Sequence, residues 1–159
     1  MTLRSAKKKN ITIGEQWRVL KHEFVNLEPD NNYPKNEVFH HFDEDILCVR
    51  YQDYMIDLGF YGDYLTNRSG VFKLIVSKGD FYKGEEFEIF ISRSTDEIKA
   101  KLDFYLKHIP LGILDNVTGL VRDANYSYEN FHVYSALNNI SYRITQKQID
   151  AKFAPKKNV

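Results

Sequence analysis

The spacing of apolar residues along the chain changes from a period of two to a period near 3.6 and back again. Residues 46–52 (ILCVRYQ) and 54–61 (YMIDLGFY) are rich in β-branched and aromatic residues and meet near Gln52-Asp53, which predicts two strands joined as a hairpin. In the second strand Tyr54, Ile56, Leu58 and Phe60 share one face, and Met55, Asp57, Gly59 and Tyr61 share the other. VFKLIVSKG (71–79) predicts a third strand with Phe72, Leu74 and Val76 on one face. EEFEIFISR (85–93) predicts a fourth, with Phe87, Ile89 and Ile91 facing in and Glu86 and Glu88 facing water. Consecutive antiparallel strands with one wet face make a β-meander.

The period then lengthens. Ile98, Leu102, Tyr105, Leu106 and Ile109 fall on one helical stripe. Ser94-Thr95-Asp96-Glu97 reads as a capping box: the Ser94 hydroxyl accepts from the Glu97 amide, and the Glu97 side chain reaches back. Lys107 and His108 occupy the last turn, and Pro110 stops the helix. The stripe predicts an amphipathic helix lying across the apolar face of the sheet. Further on, FHVYSAL (131–137) and ISYRITQ (140–146) flank Asn138-Asn139, whose tolerance of left-handed backbone suits a C-terminal hairpin. The expected class is therefore α+β: an antiparallel β-meander sheet packed by one main amphipathic helix, plus a C-terminal β-hairpin.

The flanks are less regular. In 16–27 (QWRVLKHEFVNL), Trp17 and Val19 alternate as in a strand, while Leu20, Phe24 and Leu27 recur at helical spacing. The turn cluster Glu28-Pro29-Asp30-Asn31-Asn32 favours a strand. Residues 30–36 read as a loop and 37–44 (EVFHHFDE) as a short helical turn. Residues 1–10 read as a frayed basic arm and 148–159 as a frayed basic tail, bounding one domain over 11–147.

Composition narrows the functional classes. The chain has 159 residues with 22 Lys+Arg against 22 Asp+Glu, so a globally basic nucleic-acid binder is excluded. No run approaches the ~18–20 apolar residues of a membrane helix. The start lacks the apolar core of a signal peptide, and a single cysteine, Cys48, suits a reducing compartment, so a cytoplasmic location is expected. The charge is unevenly spread: residues 1–21 carry a net +5 and residues 28–63 a net −7. With Tyr51, Tyr54, Tyr61 and Tyr64 close by, the acidic stretch suits a basic protein partner; it equally suits a solvated face paired with the basic arms.

Candidate chemistry is sparse. Neither a phosphate-cradling glycine motif nor a nucleophile elbow is present. His40 and His41 are adjacent, so they point apart and rarely chelate one ion; His41 and Asp45 stand at i,i+4. Cys48, between Leu47 and Val49, reads as a small buried hydrophobe. Asp57 interrupts an apolar strand, either as a carboxylate presented to a partner or as part of the wet face. No cofactor, metal or catalytic group is expected.

One resemblance rests on short motifs in order: W-x-V-L-x-x-x-F (Trp17, Val19, Leu20, Phe24), E-P-D (Glu28, Pro29, Asp30), F-x-E-D-I-L (Phe42, Glu44, Asp45, Ile46, Leu47) and I-D-L-G-F-Y (Ile56 to Tyr61). The pattern resembles immunity proteins of bacterial polymorphic-toxin and contact-dependent growth inhibition systems, whose hairpin often reads I-D-x-G-W-Y. It covers about 17–108; Phe60 stands where Trp is common, and the C-terminal part carries none of it. The resemblance implies a small non-enzymatic protein that binds a cognate toxin domain, often a nuclease, and blocks its active site or substrate access. On that view Asp43, Glu44, Asp45, Asp57, Tyr61, Asp63 and Tyr64 form the toxin-facing surface, with neither nucleic acid nor membrane as partner. A small α+β ligand-binding module and a carboxylate-based hydrolase are the alternative functional classes.

Overall fold

The computed structural model describes residues 6–29, 33, 41–62, 70–79, 84–121 and 130–152. Eight strands form one sheet: β1 (Arg18–His22), β2 (Leu47–Tyr51), β3 (Tyr54–Tyr61), β4 (Val71–Lys78), β5 (Glu85–Ser92), β6 (Leu120–Val121), β7 (Asn130–Ser135) and β8 (Ile140–Thr145). Among the described residues two helices, α1 (Thr95–His108) and α2 (Gln146–Lys152), complete an α+β arrangement. The strand order is β1-β2-β3-β4-β5-β7-β8, with β6 beside β5, and each pairing is antiparallel. Gln52 takes a φ of +53° in the turn between β2 and β3, which lets Tyr51 pair with Tyr54. Asn139 takes +55° between β7 and β8, the left-handed conformation that asparagine accepts at low cost.

The main core lies between the sheet and α1. Leu47, Val49, Ile56, Leu58, Leu74 and Val76 meet the helix stripe of Ile98, Leu102, Tyr105, Leu106 and Ile109, all of them buried. Ser94 caps α1, its hydroxyl accepting the Glu97 N–H at 3.2 Å. The reciprocal half of the capping box runs through a third residue: the Ser94 N–H donates to the Ser92 hydroxyl at 2.9 Å, and that hydroxyl donates to the Glu97 carboxylate at 2.7 Å. The α-helix stops at His108, two residues before Pro110, and the turns beyond it close in a Schellman motif. There Gly112, at φ +91°, donates to Ile109 O, and Ile113 N–H donates to His108 O.

A bulge in β5 redistributes its side chains. Val76 pairs with Glu88 but Ser77 pairs with Glu86, so Phe87 is the extra residue. Strict alternation puts Phe87, Ile89 and Ile91 on one face and Glu88 in water. The bulge instead turns Phe87 into the main core and leaves Ile91 in a second cluster with Val71, Phe131, Val133, Ile144 and Ile149. Val71 neighbours Phe72 on β4 and so faces the other side of the sheet, which β7, β8 and α2 help to cover. The expectation of one wet face therefore fails at this end of the sheet. Glu88 is 2% exposed and faces α1, where one carboxylate oxygen accepts from Lys101 Nζ at 2.8 Å and Tyr105 OH at 3.0 Å. Glu86 is buried too.

Residues 6–10 do not fray. Lys8 bridges Val25, and the Lys9 N–H donates to Phe24 O at 2.8 Å. Lys9 is 8% exposed, its ammonium donating to Asn26 Oδ1 (2.9 Å), Thr95 Oγ1 (2.9 Å) and Asp96 Oδ1 (2.6 Å). Glu28 accepts from the Thr95 N–H and hydroxyl. These carboxylates suit the positive end of the helix dipole. At the other end, α2 occupies 146–152 with Ile149 fully buried, so the domain runs past residue 147. The expected arm at 1–5, the tail at 153–159, the helical turn at 37–40, and the loops at 30–32, 34–36 and 65–69 lie outside the described residues.

Two of the ion pairs that α1 makes differ in burial. Lys99–Asp103 is partly exposed, and such i,i+4 pairs contribute ~0.3–0.5 kcal/mol. Removing one member of a buried pair costs about 3–5 kcal/mol, and Lys101 keeps a quarter of its side chain in solvent, so Glu88→Ala should cost near the lower end. Urea unfolding is expected to show a loss of about 3 kcal/mol for Glu88→Ala and under about 0.5 kcal/mol for Asp103→Ala. A pH dependence follows from two histidines. Burial, and secondarily Lys8, holds His22 below its usual 6.5; burial, then Arg143, does the same to His132. The folded state thus disfavours protons that the unfolded chain accepts near pH ~6.5. Stability should be full above that pH and fall as pH drops through it, with a shallower fall in a His22→Asn/His132→Asn variant, read by urea midpoints between about pH 7.5 and 5.5.

Candidate functional site

Of the acidic residues singled out in the sequence, Asp43, Glu44 and Asp45 stand together at one end of β2 and β3. Residues 43–46 continue the pairing of these strands: Ile46 N–H donates to Leu58 O at 2.9 Å, and Phe60 N–H donates to Asp43 O at 2.7 Å. The Glu44 N–H donates to Asp43 Oδ1 at 2.6 Å, a side-chain bond between neighbouring residues of the turn. The backbone of this turn lies against Gly59. A Cβ there would run into the Glu44 carbonyl and the Tyr61 ring, so the close approach requires glycine. Residues 41–45 form a non-helical turn, so the short helix expected over 37–44 does not reach them.

Asp43, Glu44 and Asp45 are exposed on that seat. Lys21 of β1 approaches Asp45 at 3.6 Å and Glu23 at 3.9 Å. Asp57 sits half-buried on the sheet face away from α1, paired with Cys48 on β2 and Ile75 on β4. Cys48 is half-buried between these acids. Burial first, then Asp57 and Asp45, push its thiol up to about 11, against a smaller opposing effect of Arg50. It is therefore a thiol, not a thiolate, at neutral pH, which disfavours nucleophilic chemistry.

The tyrosines separate. Tyr61 shares the Asp57 face, and its ring carries the Lys73 ammonium at 4.1 Å; the same ammonium lies 5.3 Å from the Phe131 ring centre. Tyr61 is thus tied into the second cluster. Tyr54 belongs to the main core and donates to Asp115 Oδ1 at 3.0 Å; burial and that bond push its phenol up to about 12. Tyr51 packs on Trp17 at 5.7 Å, on the α1 side. Neither joins the acidic end. Glu28 is committed to the start of α1, and Asp53 lies in the turn at the opposite end of β2 and β3. Asp63, Tyr64 and His40 lie outside the described residues. The structure thus brings together Asp43, Glu44, Asp45, Asp57 and Tyr61.

Two polar clusters built around a buried charge were not legible as such: Lys9 with Asn26, Thr95 and Asp96, and Glu88 with Lys101 and Tyr105. The i,i+4 spacing of Lys101 and Tyr105 was a usable signal, but only the β5 bulge aims Glu88 at them. Burial and the Glu88 charge raise the Tyr105 phenol far above its ordinary value, so this cluster fastens α1 rather than moving protons. Among the described residues no group of three or more His, Cys, Asp or Glu is placed to hold a metal ion. Among the described residues no helix is long and apolar enough to cross a membrane.

The raised Cys48 thiol gives a direct readout. At pH 8 the folded protein should alkylate with iodoacetamide at least about tenfold more slowly than the urea-unfolded chain, as mass spectrometry of timed samples would report. Comparison with protein-family models, with curated proteins and with solved structures returned no match for this chain.

Proposed function

We propose that the chain is an immunity-type protein that binds a cognate bacterial toxin domain in the cytoplasm and neutralises it by covering its active site or substrate access. The observation that carries this reading is the exposed run Asp43-Glu44-Asp45, held on the β2–β3 end by backbone bonds and by the close approach to Gly59. Carboxylates on a stiff seat complement a basic cleft, such as that of a nuclease, with little ordering cost on binding. Asp57 lies behind the run on the sheet face, and Tyr61 is fixed beside it by Lys73. The motif order W-x-V-L, E-P-D, F-x-E-D-I-L and I-D-L-G-F-Y supports the same reading. In it the frame is a β-meander backed by one main helix, with a C-terminal hairpin, and inhibition is steric and electrostatic, with no catalytic group.

The test uses toxin domains encoded beside the gene for this chain. Each is expressed in a bacterium with and without the full chain. Rescue from one toxin and no other is the expected outcome; absence of rescue overturns the reading. For the rescued pair, Asp43→Lys/Glu44→Lys/Asp45→Lys should slow association by about tenfold or more at low salt, with the deficit shrinking at high salt. Stopped-flow association rates check this, and a rate indifferent to the reversal removes these acids from the interface.

A further inference from the structure

β1 ends the sheet: β2 pairs with one edge, and among the described residues nothing pairs with the other over Arg18–Lys21. Beyond His22 the chain pairs again, where Lys8 bridges Val25. Val19 is 49% exposed and Leu20 48%, an uncommon pair of large apolar side chains on an unpaired edge. Arg18 stands directly opposite Arg50 across the β1–β2 ladder, and both are exposed. Like charges so placed repel, and neither guanidinium has an ion-pair partner among the described residues. The edge thus offers unpaired backbone, apolar surface and an uncompensated pair of cations.

We propose that this edge docks an extended acidic segment of a partner protein, which adds to the sheet as its next strand. The segment's backbone pairs with β1, its apolar side chains cover Val19 and Leu20, and a carboxylate bonds Arg18 within the field of Arg50. Charge selects the occupant. A second copy would bring two sets of Arg18 and Arg50 together, so the basic edge that admits an acidic strand repels its own kind. The surface differs in sign from Asp43-Glu44-Asp45, and the inference stands whether or not that run binds a toxin.

The experiment is an NMR titration of the isotope-labelled full chain with a short blocked peptide of alternating Glu and Val, against a Lys–Val peptide of equal length. The expected result is shifts and slowed amide exchange confined to β1 and its β2 neighbours with the Glu peptide alone. Arg18→Glu/Arg50→Glu, both at exposed positions, should exchange the preference, so that the Lys peptide binds at least about tenfold better than the Glu peptide. Absence of β1 shifts at millimolar Glu peptide overturns the proposal. Equal response to both peptides, or shifts produced by self-association of the chain, does the same.

Discussion

A single extra residue in β5 decides how the two sides of this sheet are used. Because Phe87 has no partner on β4, the strand shows Phe87, Glu88, Phe90 and Ser92 to α1 and keeps Ile91 for the far side. The helix is then fastened by side chains from this one strand: Glu88 holds Lys101 and Tyr105, and Ser92 completes the cap at Ser94. The far side receives an apolar surface that β7, β8 and α2 cover. Without the bulge, a carboxylate and an isoleucine would change places, and both packings would lose their fit.

Local patterns revealed the elements well and their surroundings poorly. The stripe Ile98-Leu102-Tyr105-Leu106-Ile109 is helical and buried, and Ser94 caps it, because a helix of this length is specified by its own sequence. Tyr54, Ile56, Leu58 and Phe60 share the core face for the same local reason. Glu88, Lys9 and Glu28 were misjudged or missed because their partners lie far along the chain, and no short window contains them. The bulge at Phe87 leaves no mark in β5, where Glu86, Phe87, Glu88 and Ile89 still alternate and the pattern breaks only later, at Phe90. The candidate site follows the same rule. The acids of 43–45 were legible as charge, but the seat at Gly59 that holds them depends on the fold.

The charge balance of the chain also changes meaning in three dimensions. Lys9, one of the basic residues of the arm, is spent on the start of α1 together with the acid Glu28. Lys73 is spent between two aromatic rings. Among the charges left outside, an acidic run stands on the turn at 43–45 and a pair of cations at Arg18 and Arg50. A neutral total therefore covers a surface with two signs in two places, which suits recognition by steering more than indifference to charge.

The clasp at the start of α1 has a consequence in time. Lys9 reaches Asp96 across 87 positions and Glu28 reaches Thr95 across 67, whereas the pairings of β2 with β3 and β4 with β5 link near neighbours. Contacts between distant segments close last, since the loop they define must lose its freedom first. During synthesis the leading segment emerges long before its mate exists. It must wait, with a lysine and a glutamate hydrated, until the helix is made. The segment that carries Lys9 and Glu28, made before α1, is among the last to find its place.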